Sequence, residues 1–151
     1  MTQRFDPAIF VTAQRDCIDQ VRAELAGGTK QSHWMWFVFP QIAGLGSSPT
    51  AQRFALPGLQ EARAYLAHPV LGDRLRQLTG LVLAAPHGDA VRIFGPVDAL
   101  KFRSCMTLFR LAAPEEKLFS AALEKFFAGR DDPRTVAILR DTDDWPSGWA
   151  P

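Results

Sequence analysis

The stretch Gln31-Ser32-His33-Trp34-Met35-Trp36-Phe37-Val38-Phe39-Pro40-Gln41 decides how this chain is read. Strict alternation would put Trp34 and Trp36 on one face and Met35, Phe37 and Phe39 on the other, as in a strand buried on both sides. The same residues also fit a short helix capped by Ser32 and ended at Pro40, because proline disfavours a helical conformation in the residue before it. A lone strand leaves its backbone groups unpaired, and nothing else in the chain reads as a convincing second strand. The short helix is therefore the better reading, and with it an all-α chain.

Working outward, the surrounding pattern is helical. Asp6-Pro7 is an N-cap followed by a first-turn proline, and Gly27-Gly28 a stop, which together predict one long first helix. On its wheel Phe10, Cys17, Ile18, Val21 and Leu25 share an apolar arc with Gln14 in the middle. That glutamine is either buried and tied to backbone or offered to a pocket. Beyond the aromatic stretch, Gly44-Leu45-Gly46-Ser47-Ser48-Pro49 is a loop by composition, and 50–56 a turn or short helix. Leu59, Ala62 and Leu66 align on a helix ended at Pro69, and Leu71, Leu75, Leu78 and Val82 on the next. Asp89 caps a short helix running to Gly95.

The segment from Pro96 to Ala112 is apolar nearly all round, with Phe102, Cys105, Met106 and Phe109 on one face and Val97, Leu100, Leu108 and Leu111 making most of the rest. That is the signature of a buried central helix. Lys101 nevertheless falls between Cys105 and Leu108 on the wheel, with Asp98 and Ser104 to either side. An ammonium cannot be buried cheaply alone, so Lys101 should meet an acid such as Asp98 or reach a polar cavity. Residues 115–128 form an amphipathic helix ended at Gly129, and Asp132-Pro133 starts a last one. The expectation is a single compact all-α domain of about seven helices over residues 1–140, followed by an irregular tail, 141–151, carrying Trp145 and Trp149.

Composition limits the functional classes. The chain has 151 residues, 47% hydrophobic and 22% charged, as in an ordinary globular protein. Such a length buries about 70% of the unfolded surface, so no metal or disulfide staple is needed. Seventeen basic and sixteen acidic residues leave a net charge of +1 without a basic run, which disfavours a nucleic-acid partner. No apolar leader or membrane-length segment is present, and Cys17 and Cys105 fit no zinc spacing. The expectation is a cytoplasmic protein with reduced cysteines, no membrane partner, no metal site and no cofactor. Dinucleotide, phosphate-loop, zinc-protease and nucleophile-elbow motifs are all absent.

What remains is a constellation of polar groups set among aromatics. Ser32, Trp34, Trp36 and Gln41 from the aromatic stretch, Gln14 from the first helix and Ser104 from the buried helix are the candidate ligand-binding residues. Lys101, Asp98 and His33 are the candidate catalytic ones. Indole faces can sandwich a planar ring while amides, hydroxyls and an ammonium hold its edges or a phosphate. The expected ligand is a small molecule of nucleotide or ADP-ribose type. If the site is catalytic, the expected step is at an N-glycosidic bond, with Lys101 stabilising negative charge and Asp98 or His33 handling protons. The alternative is a non-catalytic module that presents exposed tryptophans to a protein partner.

Residues 32–41 and Gly44-Leu45-Gly46 resemble an uncharacterised bacterial family, the domain-of-unknown-function family numbered 1810. So do Glu61-Ala62-Arg63-Ala64-Tyr65-Leu66, His68-Pro69-Val70-Leu71-Gly72 and Ile93-Phe94-Gly95. The block Asp98, Lys101, Arg103-Ser104, Met106-Thr107-Leu108-Phe109 extends the likeness, which reaches to about Leu139. The resemblance implies a compact, mostly helical domain and no established activity. Some members carry the name calpastatin, but those inhibitors are polar, repetitive and disordered, whereas this chain is apolar and non-repetitive. A fainter likeness, through Asp98, Lys101, Met106, Phe119, Leu123 and Phe126-Phe127, is to enzymes that process N-glycosidic bonds of ADP-ribose-type compounds.

Overall fold

In the computed structural model, which describes residues 5–145, the chain is all-helical. Asp6 accepts a hydrogen bond from the Ala8 amide at 3.0 Å and opens α1 (Pro7–Arg15). The expected long first helix is in fact two, because the chain breaks at Asp16-Cys17 before α2 (Ile18–Ala26). No glycine or proline marks that break. Each half follows a different neighbour: α1 packs against α3 (Met35–Val38), and α2 runs along α6 (Leu71–Leu83). Splitting this helix, and resolving the short α3 and α4 (Pro49–Phe54), brings the total to ten among the described residues rather than about seven.

The aromatic stretch is helical over α3, but Ser32 does not cap it. Trp34 stands at the N-cap without a side-chain capping bond, and the Ser32 hydroxyl donates to Glu24 instead. The only β-type pairing among the described residues is an isolated parallel bridge between Ile42 and Leu56. Its two hydrogen bonds, Leu56 N–H to the Gln41 carbonyl and Ala43 N–H to the Leu56 carbonyl, close the intervening loop and α4 into one protruding flap.

Around this, α5 (Leu59–Ala67), α7 (Ala90–Phe94), α9 (Lys117–Phe127) and α10 (Pro133–Arg140) surround α8 (Pro96–Ala112), and α6 packs outside them on α5 and α9. The middle and end of α8 are core: Phe102, Cys105, Met106, Leu108 and Phe109 are fully buried. Its first turns are core on one side only. Ala99 is buried, whereas Val97 and Leu100, expected on the buried face, are 66% and 64% exposed. Arg103 and Arg110 are partly buried on the same helix: Arg103 donates to the Arg130 and Asp131 carbonyls, and Arg110 pairs with Asp131 at 2.5 Å. After α10, Asp144 accepts the Gln60 amide at 2.6 Å, so the start of the expected irregular tail is fastened to α5. Trp149 lies outside the described residues.

The closest helix approach tests the packing. A Cβ built on Gly72 would lie 2.1 Å from the Leu66 carbonyl oxygen, whereas one on Gly80 of the same helix would meet nothing within 4 Å. Gly72→Ala should therefore destabilise the fold by about 1–3 kcal/mol through forced backbone movement. Gly80→Ala should be stabilising by roughly 0.5–1 kcal/mol through helix propensity. Urea midpoints of the two variants read both signs, and a neutral Gly72→Ala would show that α5 and α6 do not meet as described.

Candidate functional site

Val97, Leu100, Lys101 and Ser104 are spaced so that all four lie on one side of α8. That side faces a cleft of about 460 Å3, within the size range of small-molecule sites. The opposite wall is Trp36 of α3, Gln41 and residues 45–48 of the flap, and the end is closed by Asp132 and Arg134 at the start of α10. Four of the residues singled out from the sequence thus share one cleft: Trp36, Gln41, Lys101 and Ser104.

The charges behind the cleft form one cluster. The Asp98 carboxylate is shared, with Lys30 at 2.9 Å on one oxygen and Lys101 at 3.5 Å on the other. The Lys30 side chain is only 8% exposed and its ammonium lies 5.0 Å from the centre of the Trp34 ring. The Lys101 ammonium lies 4.7 Å from the centre of the Trp36 ring. Each lysine is thus held by the same carboxylate and by a separate indole face, a combination that offsets the cost of partial burial. Both outcomes expected of Lys101 are realised: it pairs with Asp98 and it faces a cavity. Asp98, engaged by two ammonium groups, stands as their counter-ion.

The Ser104 hydroxyl bonds the Thr135 hydroxyl at 2.8 Å, and Thr135 in turn donates to Asp132 at 2.5 Å. With the Thr135 proton committed to Asp132, Ser104 is the donor. This buried chain fastens the first turn of α10 to the floor of the cleft, and the Asp132 amide, donating to Thr107 at 2.9 Å, reinforces it.

The other residues singled out lie elsewhere. Gln14 is buried, donating to the Phe37 carbonyl at 2.7 Å and the Tyr65 hydroxyl at 3.1 Å while accepting from Arg74 at 3.2 Å. It is tied down, the first of the two alternatives. Trp34 is 1% exposed and belongs to the core. Ser32 faces Glu24, and His33 is exposed and outside the cleft lining.

Three cleft-forming features escaped the sequence reading. Lys30, Asp132 and Arg134 are separated from the aromatic motif in sequence or look like ordinary surface charges. The spacing at positions 97, 100, 101 and 104 was the usable signal, but the surrounding apolar residues absorbed it into the core. Another groove of about 490 Å3, by Arg63 and Arg76, is chemically spent: Arg76 grips Glu116 at 2.6 Å, and Arg63 donates to the Ala112 carbonyl at 3.0 Å. Among the described residues no group of three or more His, Cys, Asp or Glu side chains is placed to hold a metal, and no helix is long and apolar enough to cross a membrane.

The family profile described as protein of unknown function (DUF1810) matches residues 4–139. The chain belongs to that family. It is 48% identical to the conserved hypothetical protein Rv1873 from Mycobacterium tuberculosis, whose crystal structure superposes with a TM-score of 0.88 over 91% of this chain and 100% of that one. The curated proteins contain no match. Family membership and fold agree with the resemblance carried by the aromatic motif, and neither brings an activity with it.

In this DUF1810 chain the turn that leads into the aromatic stretch is held by Glu24. Its carboxylate accepts the Gln31 amide at 2.6 Å, the Ser32 amide at 2.9 Å and the Trp34 indole N–H at 3.0 Å, together with Gln20 and the Ser32 hydroxyl. Burial pushes this carboxyl upward, but the hydrogen bonds from Ser32, Gln31 and Gln20 outweigh it and hold the group at about 2, against an ordinary 4.5. Because the folded value is the lower one, the contribution to stability is complete above pH 4.5 and is lost as pH falls toward about 2. Glu24→Gln should cost about 2 kcal/mol at neutral pH. The gap between the two proteins in urea denaturation should narrow across that acid range, and a gap independent of pH would show that the charge is not what holds the turn.

Proposed function

We propose that this protein binds a small molecule of nucleotide or ADP-ribose type in the cleft between α3, the flap and the first half of α8. The carrying observation is that Trp36 and Lys101 line that cleft together, the ammonium seated over one indole face, with the Gln41 amide at the same wall. A ring that stacks on the indole, opposite the ammonium or in its place, gains about 1–3 kcal/mol, while the polar groups fix its edges. If the ligand is turned over, the step is hydrolysis or transfer at an N-glycosidic bond, and Lys101 is the group placed to stabilise developing negative charge. Asp98 then acts through Lys101 rather than on the substrate.

A second reading rests on the exposure of Val97 and Leu100 beside Trp36. An apolar rim of this kind also suits a protein partner without catalysis, with Trp36 as its aromatic anchor.

Thermal shift and calorimetry with AMP, ADP-ribose and NAD separate the two. At a hundredfold excess over Kd a true ligand adds about 2.7 kcal/mol to stability. Trp36→Leu should reduce affinity at least tenfold while leaving the far-UV spectrum unchanged. Silence from the whole panel, or equal binding by Trp36→Leu, would remove the small-molecule reading and leave the partner surface.

A further inference from the structure

The polar groups of the cleft are unequally satisfied. Asp132 is turned into α10, where its Oδ2 accepts from both the amide and the hydroxyl of Thr135. Asp98 is claimed by Lys30 and Lys101. The cations are a different matter. The Lys101 side chain is 24% exposed, and its ammonium meets Asp98 only at 3.5 Å and donates no hydrogen bond among the described residues. Arg134, at the end of the cleft, has no hydrogen-bond or ion-pair partner among them. Gln41 likewise has an amide side chain without a partner there. Three cations, Lys30, Lys101 and Arg134, stand against two carboxylates, Asp98 and Asp132. The cleft therefore carries an excess positive charge, and its Lys101 and Arg134 donors are unspent.

We propose that this cleft selects its ligand by a phosphoryl group, gripped between Lys101 and Arg134, and that Lys30 is the positioning residue for that grip. The inference rests on the small-molecule reading of the same cleft. A phosphoryl group supplies the negative charge and the several acceptor oxygens that the two side chains lack, and a guanidinium matches it with paired N–H groups. An aromatic ring on the same molecule then reaches Trp36. Lys30 does not touch the ligand. By holding one Asp98 oxygen at 2.9 Å it limits how closely Asp98 can draw Lys101 back, and so leaves the Lys101 donors turned to the cleft.

Calorimetry with adenosine, AMP and inorganic phosphate on the intact chain tests the idea at two salt concentrations. AMP should bind at least tenfold tighter than adenosine, and the advantage should shrink as salt rises. Arg134→Gln, a change at an exposed and unpartnered position, should erase most of the AMP preference and leave adenosine binding as it was. Lys101→Met should likewise lower AMP affinity at least tenfold. Lys30→Met should lower the AMP-to-adenosine ratio by about threefold to tenfold without abolishing either, which loss of the fold alone would not do. Competition of inorganic phosphate with AMP would support phosphoryl recognition with the free anion as an occupant in its own right. Equal affinity for adenosine and AMP, or an AMP preference untouched by Arg134→Gln, overturns the phosphoryl grip while the cleft reading stands. Failure of all three probes, with ADP-ribose and NAD also silent, overturns both.

Discussion

One carboxylate, that of Glu24, sets the path of the chain at the point where the fold could have gone another way. α2 ends in glycines, and the next residues must reverse direction while carrying an indole into the core. Reversal leaves the amides of Gln31 and Ser32 without helical partners, and burial of Trp34 leaves its ring N–H without water. Each orphan donor would cost free energy, and one ionised acceptor satisfies them together. With that turn fixed, Trp34 fills the core and Trp36 is delivered to the opposite side, where the cleft lies.

α8 then divides two environments along its length. Phe102 and Phe109 gather the rings of Phe39, Phe94, Tyr65 and Phe119 around them, and these edge, tilted and stacked pairs lock the helix in place. In its first turns only one side is covered, with Ala99 buried and Val97 and Leu100 exposed. Lys101 sits at the boundary, which is why its stem is covered while its ammonium faces the cleft. The Ser104–Thr135–Asp132 chain closes the other end by fixing where α10 begins.

Much of this was legible. The caps at Asp6, Asp89 and Asp132 each bond the amides expected of them, and α5, α6 and α8 fall where periodicity places them. Lys101 was identified by the mismatch between an ammonium and an apolar arc, and the same mismatch brought in Gln14. The two residues then part company. Gln14 is exhausted by Phe37, Tyr65 and Arg74, whereas Lys101 keeps its donors. A wheel registers that a polar group points inward but is blind to what waits there. The break between α1 and α2 was equally hidden, since it carries no breaker residue and comes from two halves packing on different neighbours.

The sequence by itself determined the all-helical class, most helix ends and the family, because hydrophobic period and capping are local properties that neighbouring residues impose on one another. Only the tertiary structure decided that Lys30 and Asp98, 68 positions apart in the numbering, share an ion pair with Lys101, and that Arg134 closes the same cleft. Which side chains are left with unspent charge depends on distances between elements far apart in the chain. Those distances are fixed by how ten helices pack, and no local pattern encodes them.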